Sequence, residues 1–473
     1  MQNPTPAPAP APALLLTLAS VVAAAATPAL AQVPQSWDID IIARSSLDPA
    51  IPAFRLPPGS SLSSQPVSLD DLGGIAVRAF LSGAVSGNLT EVVFYGTRDD
   101  AVFIATANNP NDVAFGPAVD AFGGRVAVPD AFFNGGGATV YDTFGVELER
   151  FDPGGPLAIS GIGGPTLSAD GAIAYRGDFG FIGDRVVIDE FVNGVRTQTP
   201  IADDFSGTFD FLLTPRMNAN RQVVINTIPA SGPSRRIIRF DPTPGGPTAF
   251  TVAETGARWD SFVNSTGIGT DGSISFTARR TADGIREVVL ADPQGNFTTI
   301  AEGNQNGISN ANLANFPPVN NANGLAAFRV EDTSGSTALY VGDGSDLVRI
   351  VGAGEPLPTD LGSIPAGFDF GGTTGVQTIN SSIDINDQNQ IAFAAFLQNG
   401  TIGVFLATPA PADPPCNIAD LAVPFGFVDL SDVDAFIAAF ATGDPLADIA
   451  APFGFVDLTD VDAFIAAFLA GCP

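Results

Sequence analysis

Short apolar segments separated by turn residues make up most of the chain, and one such segment recurs behind the same turn. The repeated pattern is Asn/Asp-x-x-Gly-x-φ-Ala-φ, where φ is an apolar residue. It is clear at 169–175, 270–276, 321–328 and 386–393 and weaker elsewhere. The glycine, or the residue that replaces it, marks each copy: Gly73, Gly124, Gly171, Arg221, Gly272, Gly324 and Asn389.

These marks are 51, 47, 50, 51, 52 and 65 residues apart. A near-constant step of about 50 residues is typical of a propeller blade. The turn supplies a residue with positive φ, and the segment behind it alternates apolar and small residues as an inner strand does. We therefore predict a mainly β chain with a seven-bladed β-propeller-like domain over 32–408. Two β-sandwiches would also give many short strands, but they predict no uniform period.

The repeated motif resembles that of a tandem-repeat family of exported bacterial proteins, known by its NxxGxxAF signature and its variable C-terminal anchors. The resemblance covers roughly 37–408, about four-fifths of the chain. It implies a fold and an exported location, and it implies no reaction.

The hydrophobic period changes after a Pro/Ala linker at 409–415. The segment 419–440 returns almost unchanged at 447–468. Within the first copy, apolar residues at i, i+3, i+4 and i+7 from Val433 predict a helix. Ser431 and Asp434 form a capping-box-like pair, as do Thr459 and Asp462 in the second copy, so each helix is expected to start there.

A loop with the order of a calcium loop precedes each helix. Such a loop needs an acidic first ligand, a glycine for its sharp turn, and acids near its end. The first copy supplies Asp420, Gly426, Asp429 and Asp432, and the second supplies Asp448, Gly454, Asp457 and Asp460.

Residues 416–473 thus resemble a dockerin, a small α-helical, EF-hand-like duplicated module, and most closely its GC-type variant. The resemblance implies calcium as a cofactor. The implied ligands are Asp420, the Phe427 carbonyl, Asp429 and Asp432, and Asp448, the Phe455 carbonyl, Asp457 and Asp460. It also implies a cohesin-like partner, read by Leu430, Ser431, Leu458 and Thr459.

The loops depart from that family pattern. There is one extra residue before Gly426, and apolar residues fill the third and fifth ligand positions. Three carboxylates per loop would bind calcium weakly or not at all. The alternative is that the Phe-rich loops simply pack against each other.

The composition excludes several kinds of catalytic site, metal site and partner. The chain contains no His and no Lys, which removes His-based nucleophilic catalysis, His-ligated metals and Schiff-base chemistry. Its net charge of −30 repels phosphate backbones, so no nucleic-acid partner is expected. Acidic pairs such as Asp70-Asp71 stand beside predicted turns and are interpreted as turn residues.

Export is indicated at both ends of the chain. Residues 1–31 have the pattern of a signal peptide cleaved after Ala31, which would leave no membrane span in the mature chain. The two cysteines, Cys416 and Cys472, bracket the tail, and an exported protein would join them in a disulfide.

These features favour a secreted or cell-surface protein that binds and does not catalyse. The tail would dock it onto a cohesin-like or cell-envelope partner. The alternative is a secreted polysaccharide-active enzyme tethered through the same tail, which would need carboxylates converging on one face.

Overall fold

The computed structural model describes residues 33–48, 50–62, 66–81, 90–107, 119–129, 136–178, 180–310, 317–368, 376–379, 382–410, 416–422, 428–451 and 454–472. The signal peptide predicted at 1–31 and the proposed ligand Phe427 lie outside these residues. Within them, no helix is both long and apolar enough to cross a membrane.

Seven antiparallel sheets confirm the seven-bladed propeller. Blade 1 contains β2 (Ser60–Ser61), β3 (Val67–Leu69), β4 (Ile75–Leu81), β5 (Glu91–Gly96) and β6 (Ala101–Ala107). Blade 2 contains β7 (Asp120–Phe122), β8 (Arg125–Pro129), β9 (Ala138–Asp142) and β10 (Glu147–Phe151). Blade 3 contains β11 (Gly161–Leu167), β12 (Ile173–Asp178), β13 (Asp184–Val192) and β14 (Val195–Asp203).

The next three blades continue in chain order. Blade 4 contains β15 (Phe209–Leu212), β16 (Arg216–Met217), β17 (Val223–Pro229), β18 (Arg236–Asp241) and β19 (Thr248–Glu254). Blade 5 contains β20 (Trp259–Phe262), β21 (Gly267–Ile268), β22 (Ile274–Arg280), β23 (Arg286–Ala291) and β24 (Phe297–Glu302). Blade 6 contains β25 (Val319–Asn320), β26 (Ala326–Glu331), β27 (Thr337–Gly342) and β28 (Leu347–Val351).

Blade 7 is built from both ends of the repeat domain. It contains β31 (Asp384–Ile385), β32 (Ile391–Phe396), β33 (Ile402–Pro409) and β1 (Trp37–Ser45). β1 pairs antiparallel with β33, from Trp37 opposite Pro409 to Ser45 opposite Ile402. The first strand of the chain therefore closes the ring of blades.

The long last step of the repeat comes from an inserted hairpin, β29 (Pro356–Thr359) and β30 (Gly362–Pro365). Its turn residue Asp360 accepts two hydrogen bonds at 2.8 Å from the guanidinium of Arg44, which is fully buried in β1. A buried charge needs a partner of this kind, because its desolvation would otherwise be costly. The insertion thus fastens the closing strand.

The repeated turn connects the innermost strand of a blade to its second strand. Its glycine-equivalent residue has positive φ, with Gly73 at 86° and both Arg221 and Asn389 at 61°. The alternating segment behind the turn is the second strand, and the innermost strand precedes the turn. The segment that was expected to be an inner strand has a neighbouring strand on each side.

Both faces of that second strand are buried, which explains its alternation. In β12, Ile173 and Tyr175 pack with Val140 of blade 2, whereas Ala174 packs with Ile225 of blade 4. Large residues therefore face one neighbour and a small residue faces the other. Burying a large apolar side chain contributes roughly 1.5–3 kcal/mol, so the interfaces between blades form the core.

The tail contains two helices, Leu430–Thr442 and Leu458–Ala470, and a turn of 3-10 helix at Pro445–Ala447. Phe436 and Phe464 hold the same position in the two copies, and their rings stack with centroids 4.2 Å apart. Cys416 and Cys472 form the predicted disulfide. Their pairing joins the two ends of the duplicated segment.

Candidate functional site

The turns of the repeated motif link each blade to the next. Asn218 caps its own turn, because its Oδ1 accepts from the Gln222 amide at 3.0 Å. Its Nδ2 donates to the Gly269 carbonyl of blade 5 at 2.8 Å. Asn321 in blade 6 donates in the same way to the Asn386 carbonyl of blade 7 at 2.9 Å. The polar residue that opens the motif is therefore a connector between blades.

Side chains of a turn also join blades 1 and 2, here as hydrogen-bond acceptors. Asp70 and Asp71 accept hydrogen bonds at 2.9 Å from the Gly124 and Gly123 amides. Burial raises the pKa of Asp70 to about 7, and the adjacent Asp71 contributes to the rise. This acidic pair thus lies in a turn, as interpreted from the sequence.

A cavity of about 100 Å³ lies where the innermost strands meet. Its lining includes the side chains of Asp120 from β7, Asp384 from β31 and Arg216 from β16. Three separate blades thus supply two carboxylates and one guanidinium to a single cavity.

Backbone amides of neighbouring blades hold both carboxylates. Asp120 accepts from the Leu167 amide at 2.7 Å, and Asp384 accepts from the Leu69 amide at 2.9 Å. The Ser68 hydroxyl lies 3.3 Å from an oxygen of each. Arg216 Nη1 is 3.7 Å from Asp120, close enough for an ionic contact.

The cavity, called the central channel below, buries Asp120 and Asp384. Burial disfavours the charged form of both carboxylates. Desolvation raises the pKa of Asp384 to about 6, opposed by the Leu69 amide and Arg216 and reinforced by Asp120. Desolvation also raises the pKa of Asp120, and the Arg216 charge opposes that rise. A cation bound beside the two acids would favour their charged form.

Sequence reasoning missed this group because its members are far apart in the chain. A signal was nevertheless present in the repeat. Ser68, Arg216 and Asp384 each stand five residues before the glycine-equivalent position, and Asp120 stands four before Gly124. Equivalent positions of a closed ring lie at equal distance from its axis, so polar residues in this column converge.

The tail loops use their acidic residues differently from a calcium site. Asp432 Oδ1 accepts from the Leu421 and Ala422 amides at 2.7 Å, and Oδ2 accepts from the Asp429 amide at 2.8 Å. Asp460 makes the equivalent bonds in the second copy, with Ile449, Ala450 and Asp457. These carboxylates bind loop amides.

The other proposed ligands are also engaged by hydrogen bonds. Asp429 and Asp457 are the N-caps of the two helices, each in a capping box with the Asp three residues later. Asp420 accepts from the Cys416 amide at 2.7 Å, and Asp448 accepts from the Gly454 amide. Each helix begins one residue before Ser431 or Thr459, so the capping pairs expected from those residues are wrong.

The six proposed carboxylate ligands do not converge within either loop. Among the described residues, one set of acidic and sulfur-containing side chains has all its possible ligand atoms within 4.8 Å of one another. The set consists of Cys416, Asp420 and Cys472. Its two sulfurs form the disulfide. Phe455, whose carbonyl is the implied ligand of the second loop, is 75% exposed. Among the described residues, the carboxylates of a calcium loop are therefore not gathered around one point, and calcium binding stays a prediction.

An apolar groove of about 400 Å³ runs between the two tail helices. It is lined by five residues of one copy and their five equivalents in the other: Val433, Phe436, Ile437, Phe440, Ala441, Val461, Phe464, Ile465, Phe468 and Leu469. Ile437 and Ile465 are 58% and 49% exposed. The residues expected to contact a partner, Leu430 and Leu458, are 77% and 74% exposed at the helix starts.

A scan against protein-family models and a search of the curated proteins gave no match. Solved structures do match. A chain of the mitotic checkpoint complex is 10% identical, with 84% of this chain and 98% of that chain covered and a TM-score of 0.42. Oligogalacturonate lyase in complex with manganese is 12% identical, with 79% and 98% covered and a TM-score of 0.47. A prolyl endopeptidase is 10% identical, with 74% and 50% covered and a TM-score of 0.43. These similarities concern the fold and not the function.

Proposed function

We propose that this chain is an exported, non-catalytic binding protein, whose dockerin-like tail docks its propeller onto a partner at the cell surface. The observation that carries the proposal is the symmetric apolar groove between the tail helices. Exposed apolar residues at equivalent positions of two copies form one continuous surface, and such surfaces mark sites of protein association.

Charge indicates the chemistry of the partner. Residues 416–473 contain nine Asp and no basic residue. A partner that fills the groove would therefore present an apolar ridge flanked by basic side chains. Opposite charges around an apolar centre set the orientation and speed of association. Either a cohesin-like module or another envelope protein could have these properties.

Export is supported by two features. The disulfide between Cys416 and Cys472 suits an oxidising compartment. The pattern of residues 1–31 predicts a signal peptide. A location outside the cytoplasm would place the tail where surface partners are available.

Envelope retention of the full chain tests the proposal. We expect the double variant Ile437→Asp with Ile465→Asp to reduce the envelope-bound fraction several-fold, because charged residues in the groove would oppose an apolar ridge. Leu148→Asp is the matched control, since Leu148 is an exposed apolar residue of the propeller. Unchanged retention of the double variant would contradict the proposal. So would a groove-dependent dimer of the purified chain in light scattering.

A polysaccharide-active enzyme remains the second candidate, because Asp120 and Asp384 converge in the channel. Paired carboxylates can supply acid and base to a glycosidic bond. Release of reducing ends from polysaccharides by the full chain, abolished by Asp384→Asn, would favour this candidate. No release from a broad polysaccharide panel would count against it.

A further inference from the structure

We propose that the central channel binds a small α-amino acid, with its ammonium group between Asp120 and Asp384 and its carboxylate on Arg216. This site belongs to the propeller alone. It is independent of the tail and of the docking function proposed above.

The two acids form a fixed site and not a loose patch of surface charge. Each carboxylate is held by a backbone amide of a neighbouring blade, Asp120 by Leu167 and Asp384 by Leu69. Asp120 is only 13% exposed at its side chain. Groups held by rigid strands need little reorganisation when a ligand arrives, which favours binding.

The two carboxylates share one hydroxyl at the centre of the channel. The Ser68 hydroxyl lies 3.3 Å from both acids, but it has a single hydrogen and can donate to only one at a time. Its oxygen is meanwhile the acceptor for the Ala121 amide at 2.9 Å. A primary ammonium has three N–H donors, so it can pair with both carboxylates at once.

Arg216 provides the complementary half of the site. Its guanidinium makes the 3.7 Å ionic contact with Asp120 and, among the described residues, no hydrogen bond. The side chain is 39% exposed, and Arg216 lines the cavity. A planar guanidinium pairs best with a carboxylate through two parallel hydrogen bonds. A ligand carboxylate would supply these acceptors.

Size and charge narrow the ligand further. A cavity needs about 10–15 Å³ for one water, so about 100 Å³ accommodates a molecule of a few heavy atoms. Desolvated carboxylates favour a positive group over a neutral hydroxyl. A calcium ion would need six to eight oxygen ligands, and Arg216 faces the same space. An amino acid is small enough for the cavity, carries a positive group for the two acids and carries a carboxylate for Arg216.

Isothermal titration of the purified full chain at pH 8 tests the proposal. Glycine, L-alanine and L-serine are the probes, and at least one is expected to bind saturably with one site per chain. Methylamine, N-acetylglycine, galacturonate and CaCl₂ are the comparison compounds, because each lacks the ammonium group, the carboxylate or both. Each is expected to bind at least ten-fold more weakly than the best amino acid.

Variants locate the site. Asp384→Asn and Arg216→Gln are each expected to weaken amino-acid binding at least ten-fold, whereas the surface controls Asp99→Asn and Arg98→Gln leave it unchanged. Circular dichroism establishes that each variant is folded. If a variant does not fold, titrations of the unmodified chain with the comparison compounds still test the proposal. Absence of binding by all three amino acids would overturn the proposal. Equal binding of N-acetylglycine, or calcium binding that Asp384→Asn abolishes, would also overturn it.

Discussion

Asn386 in the last blade donates a hydrogen bond from Nδ2 to the carbonyl oxygen of Asp70 in the first blade, 3.1 Å away and 316 residues distant in the chain. The same side chain caps its own turn by accepting from the Gln390 amide at 3.0 Å. One residue thus joins the two ends of the ring at the axis, while β1 and β33 join them at the rim.

We expect Asn386→Ala to lower the free energy of unfolding by about 1–3 kcal/mol, because it leaves buried backbone groups unpaired. Chemical denaturation of the full chain measures this change. The control is Asn399→Ala in the same blade, where the side chain caps only its own hairpin through the Thr401 amide. Equal losses in the two variants would show that the bond between blades adds nothing.

Reduction of the disulfide should destabilise the tail alone. Cys416 and Cys472 are 56 residues apart, and a bridge closing a loop of that length contributes about 4 kcal/mol in the chain-entropy treatment. Hydrogen exchange with and without reductant should show faster exchange in both tail helices. The propeller contains no cysteine and serves as the internal control. Unchanged exchange in the tail would contradict this expectation.

The tail should stay folded without calcium, since the Asp432 and Asp460 carboxylates close their loops through amide hydrogen bonds. Excess EDTA should leave the exchange rates of 430–442 and 458–470 unchanged. Asp432→Asn should instead speed exchange in the first helix, because an amide nitrogen cannot accept the bond from Asp429. Loss of protection in EDTA would show that a metal holds the loops.

Asp384 should make stability depend on pH in a defined direction. Burial raises its pKa from 3.8 to about 6 in the folded chain, with Asp120 and Arg216 facing it. The folded state therefore binds this proton more tightly than the unfolded state, and stability falls as pH rises from about 4 through 6.

The variant Asp384→Asn removes that titration. Its stability relative to the unmodified chain should rise by about 2–3 kcal/mol between pH 4 and pH 8, at roughly 1.4 kcal/mol per unit of pKa difference. Denaturation at both pH values, with Asp99→Asn as the control, measures this difference. A flat difference would mean that Asp384 titrates normally.

Much of the propeller could be predicted because the sequence features that specify a blade are local and recur along the chain. A turn residue with positive φ occurs in each blade. An Asn or Asp in the turn and an apolar-small-apolar strand occur in most blades, so their spacing reveals the architecture. The pairing of β1 could not be predicted in this way. Residues 37–45 precede the first motif, and nothing local in them identifies β33 as their partner.

The tail shows a different limit. Its helices follow from periodicity, but their starting points do not, because Asp429 with Asp432 has the same spacing as Ser431 with Asp434. Asp429 and Asp432 set the start of the helix because both carboxylates accept hydrogen bonds from backbone amides that would otherwise be unpaired.

The group of polar residues in the channel could not be predicted for another reason. Asp120, Arg216 and Asp384 become neighbours only when the ring closes, and only an alignment of repeat positions would have brought them together.

The closure of blade 7 by β1 also constrains the order of folding. β1 is the first of the described strands to be synthesised, yet its partner begins at Ile402, so it must wait for nearly the whole propeller before it can pair. Contacts this far apart in sequence slow folding, because a large loop must be closed before they form. The early strand is meanwhile an exposed edge that can pair wrongly with other chains. A chaperone that shields residues 37–45 until β33 emerges would therefore raise the yield of closed rings more than one acting on any internal blade.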